Sequence, residues 1–292
     1  MKFALIIVSS FFLSSAYASS CCVANAGLPQ FMTLPAKWQI TTTVSQARVI
    51  GDTSPKGRSV FRGNRNRENT TQMGCGIAWA KGPWQLNASF AYAQKERQLG
   101  DKTAASTGAT DPSFAVVREI PTGRFEHRVW SFVRHLFPAA DSVYDDQDEL
   151  ATNSIGSGRP QSGVGALYMW NARYFDAQVL AEAHLGHATQ RGDARLGAQP
   201  GGSMGAGLGW VKSKWRLGSL ITARWEASST VKQEGRETRT GRIQVWDSTI
   251  SLGRQIDAFQ NAALSYNDQT LLGPARNTTL SRSFSLLWQW RW

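Results

Sequence analysis

Residues 281–292 read Ser281-Arg282-Ser283-Phe284-Ser285-Leu286-Leu287-Trp288-Gln289-Trp290-Arg291-Trp292. Phe284, Leu286, Trp288, Trp290 and Trp292 occupy the even positions, and Ser281, Ser283, Ser285, Leu287, Gln289 and Arg291 the odd ones. Side chains alternate faces along a β-strand, so this stretch has one aromatic, apolar face and one mostly polar face. A helix would scatter the same residues around its circumference. A soluble sheet that ended on such a strand would expose an edge prone to aggregation. A lipid-embedded barrel requires this pattern, with apolar groups against acyl chains and polar groups against the lumen.

The N-terminus points to export. Lys2, the apolar run Phe3–Leu13 and Ala16-Tyr17-Ala18 have the form of a secretory signal peptide, so residues 1–18 are expected to be removed. No later run approaches the ~20 apolar residues of a membrane helix. Mean hydropathy is slightly negative, which a barrel tolerates because only every second residue of its short strands must be apolar. The 12 tryptophans suit interfacial belts, where an indole sits between lipid and water.

The formal charge of +11 is carried by dispersed residues on an exported chain. Solvated loops, contacts with outer-membrane lipid and lipopolysaccharide, and an anion-attracting lumen all fit it, whereas nucleic acid does not. Cys21 and Cys22 are adjacent and Cys75 lies far away, so no disulfide framework is implied. A lipidated Cys21 is disfavoured by Ala18, which stands where a lipobox carries Leu.

Residues 19–35 contain Pro29 and Pro35 and little periodicity, and are read as irregular. From 36 to 292 a unit repeats: strand, tight turn, strand, long polar loop. Tight turns fall at Trp79–Trp84, Ile120–Phe125, Trp170–Tyr174, Trp210–Trp215 and Arg254–Phe259. Long segments fall at Gly51–Arg67, Gln98–Thr110, Pro138–Arg159, Thr189–Gly201, Lys232–Gly241 and Asp268–Leu280. Six loops and five turns predict a twelve-stranded, all-β, antiparallel up-and-down transmembrane barrel. The strands are placed at 37–50, 69–80, 84–97, 111–119, 125–137, 160–171, 174–188, 202–212, 215–231, 242–254, 257–267 and 281–292. Trp38, Trp79, Trp84, Trp170, Trp210, Trp215 and Trp292 should form one periplasmic ring.

Inward positions give the candidate lumen lining: Asp176, Glu182, His184, Arg216, Arg224, Glu226 and Arg291. Gly74, Gly76, Gly163, Gly165, Gly205, Gly207 and Gly209 also fall on inferred lumen faces, near the turn ends. Two readings of these glycines stay open. Residues 19–35 fold into the vacated space as a partial plug, or the glycines admit sheet curvature and larger side chains from neighbouring strands.

Three stretches carry a family resemblance: Ala109-Thr110-Asp111-Pro112-Ser113-Phe114, Pro121-Thr122-Gly123-Arg124 and Gly156–Gly165. They resemble, in order, the Gly-x-Gly-Asp, Pro-x-Gly and Gly-x-Gly-Ser segments of the outer-membrane transporter family of the phenol meta-degradation pathway, with Ala109 in place of a glycine. The final strand also resembles the C-terminal signal of bacterial outer-membrane barrels. That likeness implies that Phe284, Trp288, Trp290 and Trp292 are read by the barrel-insertion machinery. The family resemblance implies passage of small, hydrophobic compounds through the outer membrane of a Gram-negative bacterium, and it brings no catalytic residues.

Other chemistry is weakly signalled. His184 and His187, three apart on a strand, point to opposite faces, whereas Glu182 and His184 share the lumen face as an expected hydrogen-bonded pair. Asp141, Asp145, Asp146, Asp148 and Glu149 lack the spacing and the glycine of a calcium loop and read as a solvated loop. Gly201–Gly209 is glycine-rich, but alternates with Met204, Ala206 and Leu208 and so reads as a strand rather than a phosphate loop. An outer-wall hydrolase needs a Ser beside a His, and spacing singles out no Ser for His127, His135, His184 or His187. The reading is a passive channel or transporter for a small-molecule solute, without enzyme activity, cofactor or metal. The alternatives are a closed structural or adhesive barrel and, behind it, an outer-membrane hydrolase.

Overall fold

The computed structural model describes residues 29–32, 36–124, 126–145 and 150–292. The expected signal peptide, Cys21, Cys22, Phe125, Asp146, Asp148, Glu149 and most of the 19–35 segment lie outside the described residues.

Twelve antiparallel strands close into a barrel: β1 (Trp38–Thr53), β2 (Asn66–Lys81), β3 (Trp84–Leu99), β4 (Ser113–Ile120), β5 (His127–Leu136), β6 (Gln161–Asn171), β7 (Phe175–Gly186), β8 (Gln199–Lys212), β9 (Trp215–Glu226), β10 (Ile243–Gln255), β11 (Gln260–Asp268) and β12 (Thr279–Arg291). Each strand pairs with its sequence neighbours, and β1 pairs with β12 from Gln39↔Arg291 to Val49↔Ser281, with a bulge between Val49 and Gly51. That closure leaves no free edge, so the wall satisfies its own backbone groups. All twelve expected strands are present, with ends shifted by a few residues at most positions.

The faces follow the alternation. On β7, Phe175, Val179 and Leu185 are exposed outward, while Asp176, Gln178, Glu182 and His184 are buried inside. On β12, Phe284, Leu286, Trp290 and Trp292 are exposed, with Trp288 beside Trp290 at 5.8 Å between rings. The exterior is a continuous apolar band of a kind that water would not cover and acyl chains would. Trp38, Trp84, Trp170, Trp210, Trp215 and Trp292 stand exposed beside the tight turns, and Trp79 packs on Trp38 at 6.3 Å. Arg118, Arg173 and Arg254 lie over Trp84, Tyr174 and Trp215 at 5.0–5.2 Å, placing cations in the same belt.

The turns are tight because backbone geometry permits it. Gly82 takes φ of 58° between Lys81 and Pro83, a region open to glycine, while Ser213 takes φ of 57° in the β8–β9 turn.

The long segments depart from the expectation of plain loops. Lys102–Ala109 continues as a strand beside the outer half of β3, from Tyr92↔Ala109 to Leu99↔Lys102. Thr189–Arg191, Ala194–Leu196, Thr230–Gln233 and Arg236–Arg239 form a separate four-stranded sheet above the mouth. Its own small core is Ala194, Leu196 and Val231, with Tyr144 packed against them. Polar composition marked these segments as loops, but a few buried apolar groups suffice to order short hairpins that lean on one another.

If Ile221 faces acyl chains, Ile221→Arg lowers unfolding stability in lipid vesicles by about 2–4 kcal/mol. Ile221→Leu, a volume-conserving change, stays within about 1.5 kcal/mol of the parent. Urea titration followed by tryptophan fluorescence measures both.

Candidate functional site

The lumen is the candidate site, and two kinds of wall enclose it. One is polar: Gln39 and Thr41 of β1, Gln85 and Asn87 of β3, Thr222 of β9, Asp247, Thr249 and Ser251 of β10, and Gln289 of β12 are buried inward. The other is apolar. Val117 of β4, Trp130 and Phe132 of β5, Leu167 and Met169 of β6, and Leu180 of β7 form one cluster with Phe31. Phe31 meets Trp130 at 5.9 Å and Phe132 at 5.7 Å between ring centroids. Apolar residues on both faces leave the sequence at 111–119 and 125–137 without a clean alternation of polar and apolar positions. On β5 the inward residues include Trp130 and Phe132 beside Arg134, whereas His127, Ser131 and His135 face out with Val133, so the usual pattern is broken.

Residues Pro29–Met32 lie inside the barrel, held by inward amides. Gln30 N–H donates to Asn87 Oδ1 at 3.1 Å, and Met32 N–H donates to Gln85 Oε1 at 2.9 Å. Gln85 Nε2 returns a bond to the Met32 carbonyl at 2.8 Å. The Gln30 side-chain oxygen accepts from Gln39 Nε2 at 2.9 Å and from the Thr41 hydroxyl at 3.1 Å. Its amide occupies the place that a side chain at Gly76 would need. A cavity of about 300 Å³ lies beside this segment, with Gln30, Thr41, Thr43, Gln72, Asn87 and the mouth residue Ile155 among its lining.

The remaining inward glycines serve their neighbours. Arg216 on β9 reaches across β8 to Asp176 on β7, with Nε to Oδ2 at 2.7 Å and Nη2 to Oδ1 at 2.5 Å. The bridge passes over Gly209, where an added Cβ would sit 2.5 Å from both partners. Arg134 on β5 reaches across β6 to Glu182 on β7 at 2.6 Å, over Gly163. Gly165 leaves room for the Phe132 ring and Gly207 for Gln178. Both open readings of the glycines therefore have occupants, Gln30 at one site and cross-strand side chains at the others. Gly163 and Gly165 stand toward the loop end, not the turn end, because β6 begins at the long loop.

Of the expected lining residues, Asp176, Glu182, His184 and Arg216 are buried inward. Arg224 and Glu226 lie at the loop end of β9, and Arg291 at the turn end of β12, where its guanidinium bonds Gln289. The expected hydrogen bond between Glu182 and His184 is corrected: Oε1 lies 3.9 Å from Nδ1, and Arg134 takes the carboxylate instead. Arg134 was missed because the faces of its strand, where Trp130 and Phe132 break the alternation, were not assigned from the sequence. In the loop Pro138–Arg159, Asp145 Oδ2 accepts from the Ser142 hydroxyl at 2.8 Å and lies 3.9 Å from Arg191. The loop is tied to the mouth by Lys95 on the Ala151 carbonyl at 3.0 Å and by Ser106 on the Thr152 carbonyl at 2.5 Å. Asp111, part of the motif that carried the family resemblance, accepts from the Ala140 and Ser157 amides at 2.9 and 2.6 Å.

On the outer wall the structure brings together residues that spacing did not join. Ser162 lies between His135 and His187, with Oγ at 2.9 Å from Nδ1 and 2.8 Å from Nε2 respectively. His127 bonds the Tyr168 hydroxyl at 2.7 Å on the same wall near the turns.

No protein-family model matches this sequence, and no curated protein matches it. The fold is similar to the crystal structure of an outer-membrane channel from Pseudomonas putida F1, with a TM-score of 0.70 at 10% identity over 92% of this chain and 99% of that one. It is also similar to the transport unit of the autotransporter AIDA-I from Escherichia coli, at a TM-score of 0.50 and 13% identity over 94% and 97% of the two chains. These likenesses establish the barrel fold.

Asp176→Ala strands the buried Arg216 charge and is expected to cost about 3–5 kcal/mol. Removing both charges together in Asp176→Leu/Arg216→Met costs clearly less, and the same urea titration in vesicles checks the pair as a double-mutant cycle.

Proposed function

We propose that the chain is an outer-membrane channel that passes small solutes through its lumen, with residues 19–35 as a partial plug. The single observation that carries this reading is the occupied yet unfilled lumen. Pro29–Met32 is held inside by side-chain hydrogen bonds, and a cavity of about 300 Å³ remains beside it against a polar wall. That volume lies at the lower end of small-molecule pockets, which span roughly 300–1,000 Å³. The structural similarity to an outer-membrane channel supports the same reading.

The solute is a small molecule with an apolar part and one or two polar groups. Thr41, Thr43, Gln72 and Asn87 line the cavity together with Ala115, Leu136 and Ile155, so it offers both hydrogen-bonding and apolar contacts, while Phe31, Trp130 and Phe132 are packed against one another outside it. This agrees with the resemblance to transporters of the phenol meta-degradation pathway. The outward band then contacts outer-membrane lipid and lipopolysaccharide, and Phe284, Trp288, Trp290 and Trp292 present the signal for the insertion machinery. Asp176, Arg216, Arg134 and Glu182 act as cross-braces of the lumen wall, since their charges are satisfied by one another.

Planar-bilayer recording tests the proposal. The mature chain is expected to give discrete steps of conductance, and deletion of residues 19–35 to enlarge each step at least twofold. Unchanged steps on deletion would remove the plug. Absence of current from both proteins would favour the closed, adhesive barrel.

A further inference from the structure

His135 of β5, Ser162 of β6 and His187, the residue just past the end of β7, meet on the outward face near the long loops. Strand register explains the meeting. Ser162 pairs with His135 on one side and with Leu185 on the other. His187 follows Leu185 by two residues, so it returns to the same face. Its amide is fixed on the Pro160 carbonyl at 2.8 Å. The imidazoles are 6.1 Å apart, and the His135 ring is held edge-on by Phe137 at 4.5 Å.

A serine hydroxyl has one proton and two lone pairs, so one imidazole accepts its hydrogen bond and the other donates to it. The accepting imidazole is within reach to take the proton when the oxygen attacks. The surroundings indicate what is attacked. Phe114 and Leu185, paired with His135 and Ser162, are exposed on either side of the triad, and exposed Val133 and Val164 continue from it toward the middle of the wall. Such a strip seats an acyl chain, and it ends at Ser162, near the loop-side rim where lipid esters join chain to head group.

We propose that Ser162 is the nucleophile of a lipid acyl-ester hydrolase site on the outer wall, with His135 and His187 as its base and its orienting partner. Ser162 Oγ forms a bond to the ester carbonyl carbon while its proton passes to the accepting imidazole. The carbon–oxygen bond to the alcohol breaks, and the alcohol leaves with that proton. Water then attacks the acyl-serine, the imidazole relays a proton from water to Ser162, and a free fatty acid departs. This site is independent of lumen conductance, so the failure of either proposal leaves the other standing.

The test uses the mature protein refolded in mixed micelles of detergent and dipalmitoyl phosphatidylcholine, with an alkyl fluorophosphonate as the serine probe. Peptide mapping by mass spectrometry is expected to find the probe on Ser162 of the wild type. Release of palmitate is expected to fall at least 100-fold in Ser162→Ala and at least tenfold in each of His135→Ala and His187→Ala. The gel mobility of unheated samples reports whether each variant is folded. Wild-type protein that carries no label on Ser162, a result that requires no variant, would overturn the proposal. So would palmitate release as fast from folded Ser162→Ala as from wild type.

Discussion

Closure of the sheet by β1 against β12 is the constraint on which the rest depends. In lipid there is no water to satisfy a free strand edge, so the wall survives only if its last strand finds its first. The pairing runs from Gln39↔Arg291 to Val49↔Ser281 and, beyond one bulge, to Asp52↔Thr279. Once closed, every strand has an inside and an outside, and the period-2 alternation acquires its meaning. Outward positions are mostly apolar, with polar exceptions such as Ser131, His135 and Ser162. Inward positions are free to be polar, charged, apolar or missing, according to what the lumen holds.

That freedom is used in two ways. Across β8 and β6, Gly209 and Gly163 leave gaps through which Arg216–Asp176 and Arg134–Glu182 bridge strands that are not adjacent. Charge is thereby neutralised within the wall instead of being left to attract solutes. An apolar patch of Val117, Trp130, Phe132, Leu167, Met169 and Leu180 on β4–β7 receives Phe31, while Gln39, Thr41 and Asn87 on β1 and β3 bond Gln30. One short stretch of chain thus has an oily side and a wet side that match the two walls of the lumen.

Much of the fold was legible in the sequence. The terminal strand, the tryptophans beside the turns and the alternation in β3, β7 and β9 place the strands and their faces, because the apolar outward pattern recurs in most strands. The inward face obeys no such rule, which is why the faces of β5 were not assigned from the sequence. Trp130 and Phe132 point inward and His127, Ser131 and His135 outward, so the simple criterion fails where lumen packing replaces lumen water. The four-stranded sheet above the mouth was illegible for another reason: its short strands are ordered by contact between separate loops, with no periodicity long enough to detect. Ser162 with His135 and His187 was invisible because residues 27 and 25 apart meet only through the register of β5, β6 and β7.

The central claim is that lipid lies on one side of this wall and the lumen on the other. Spin labels placed singly at positions 177 to 185 of β7, in the protein reconstituted into vesicles, test it most directly. Oxygen accessibility should alternate with a period of two, high at 177, 179, 181, 183 and 185 and low at the positions between. Accessibility that varies without alternation, or a chain that stays monomeric in water without joining the vesicles, would contradict it.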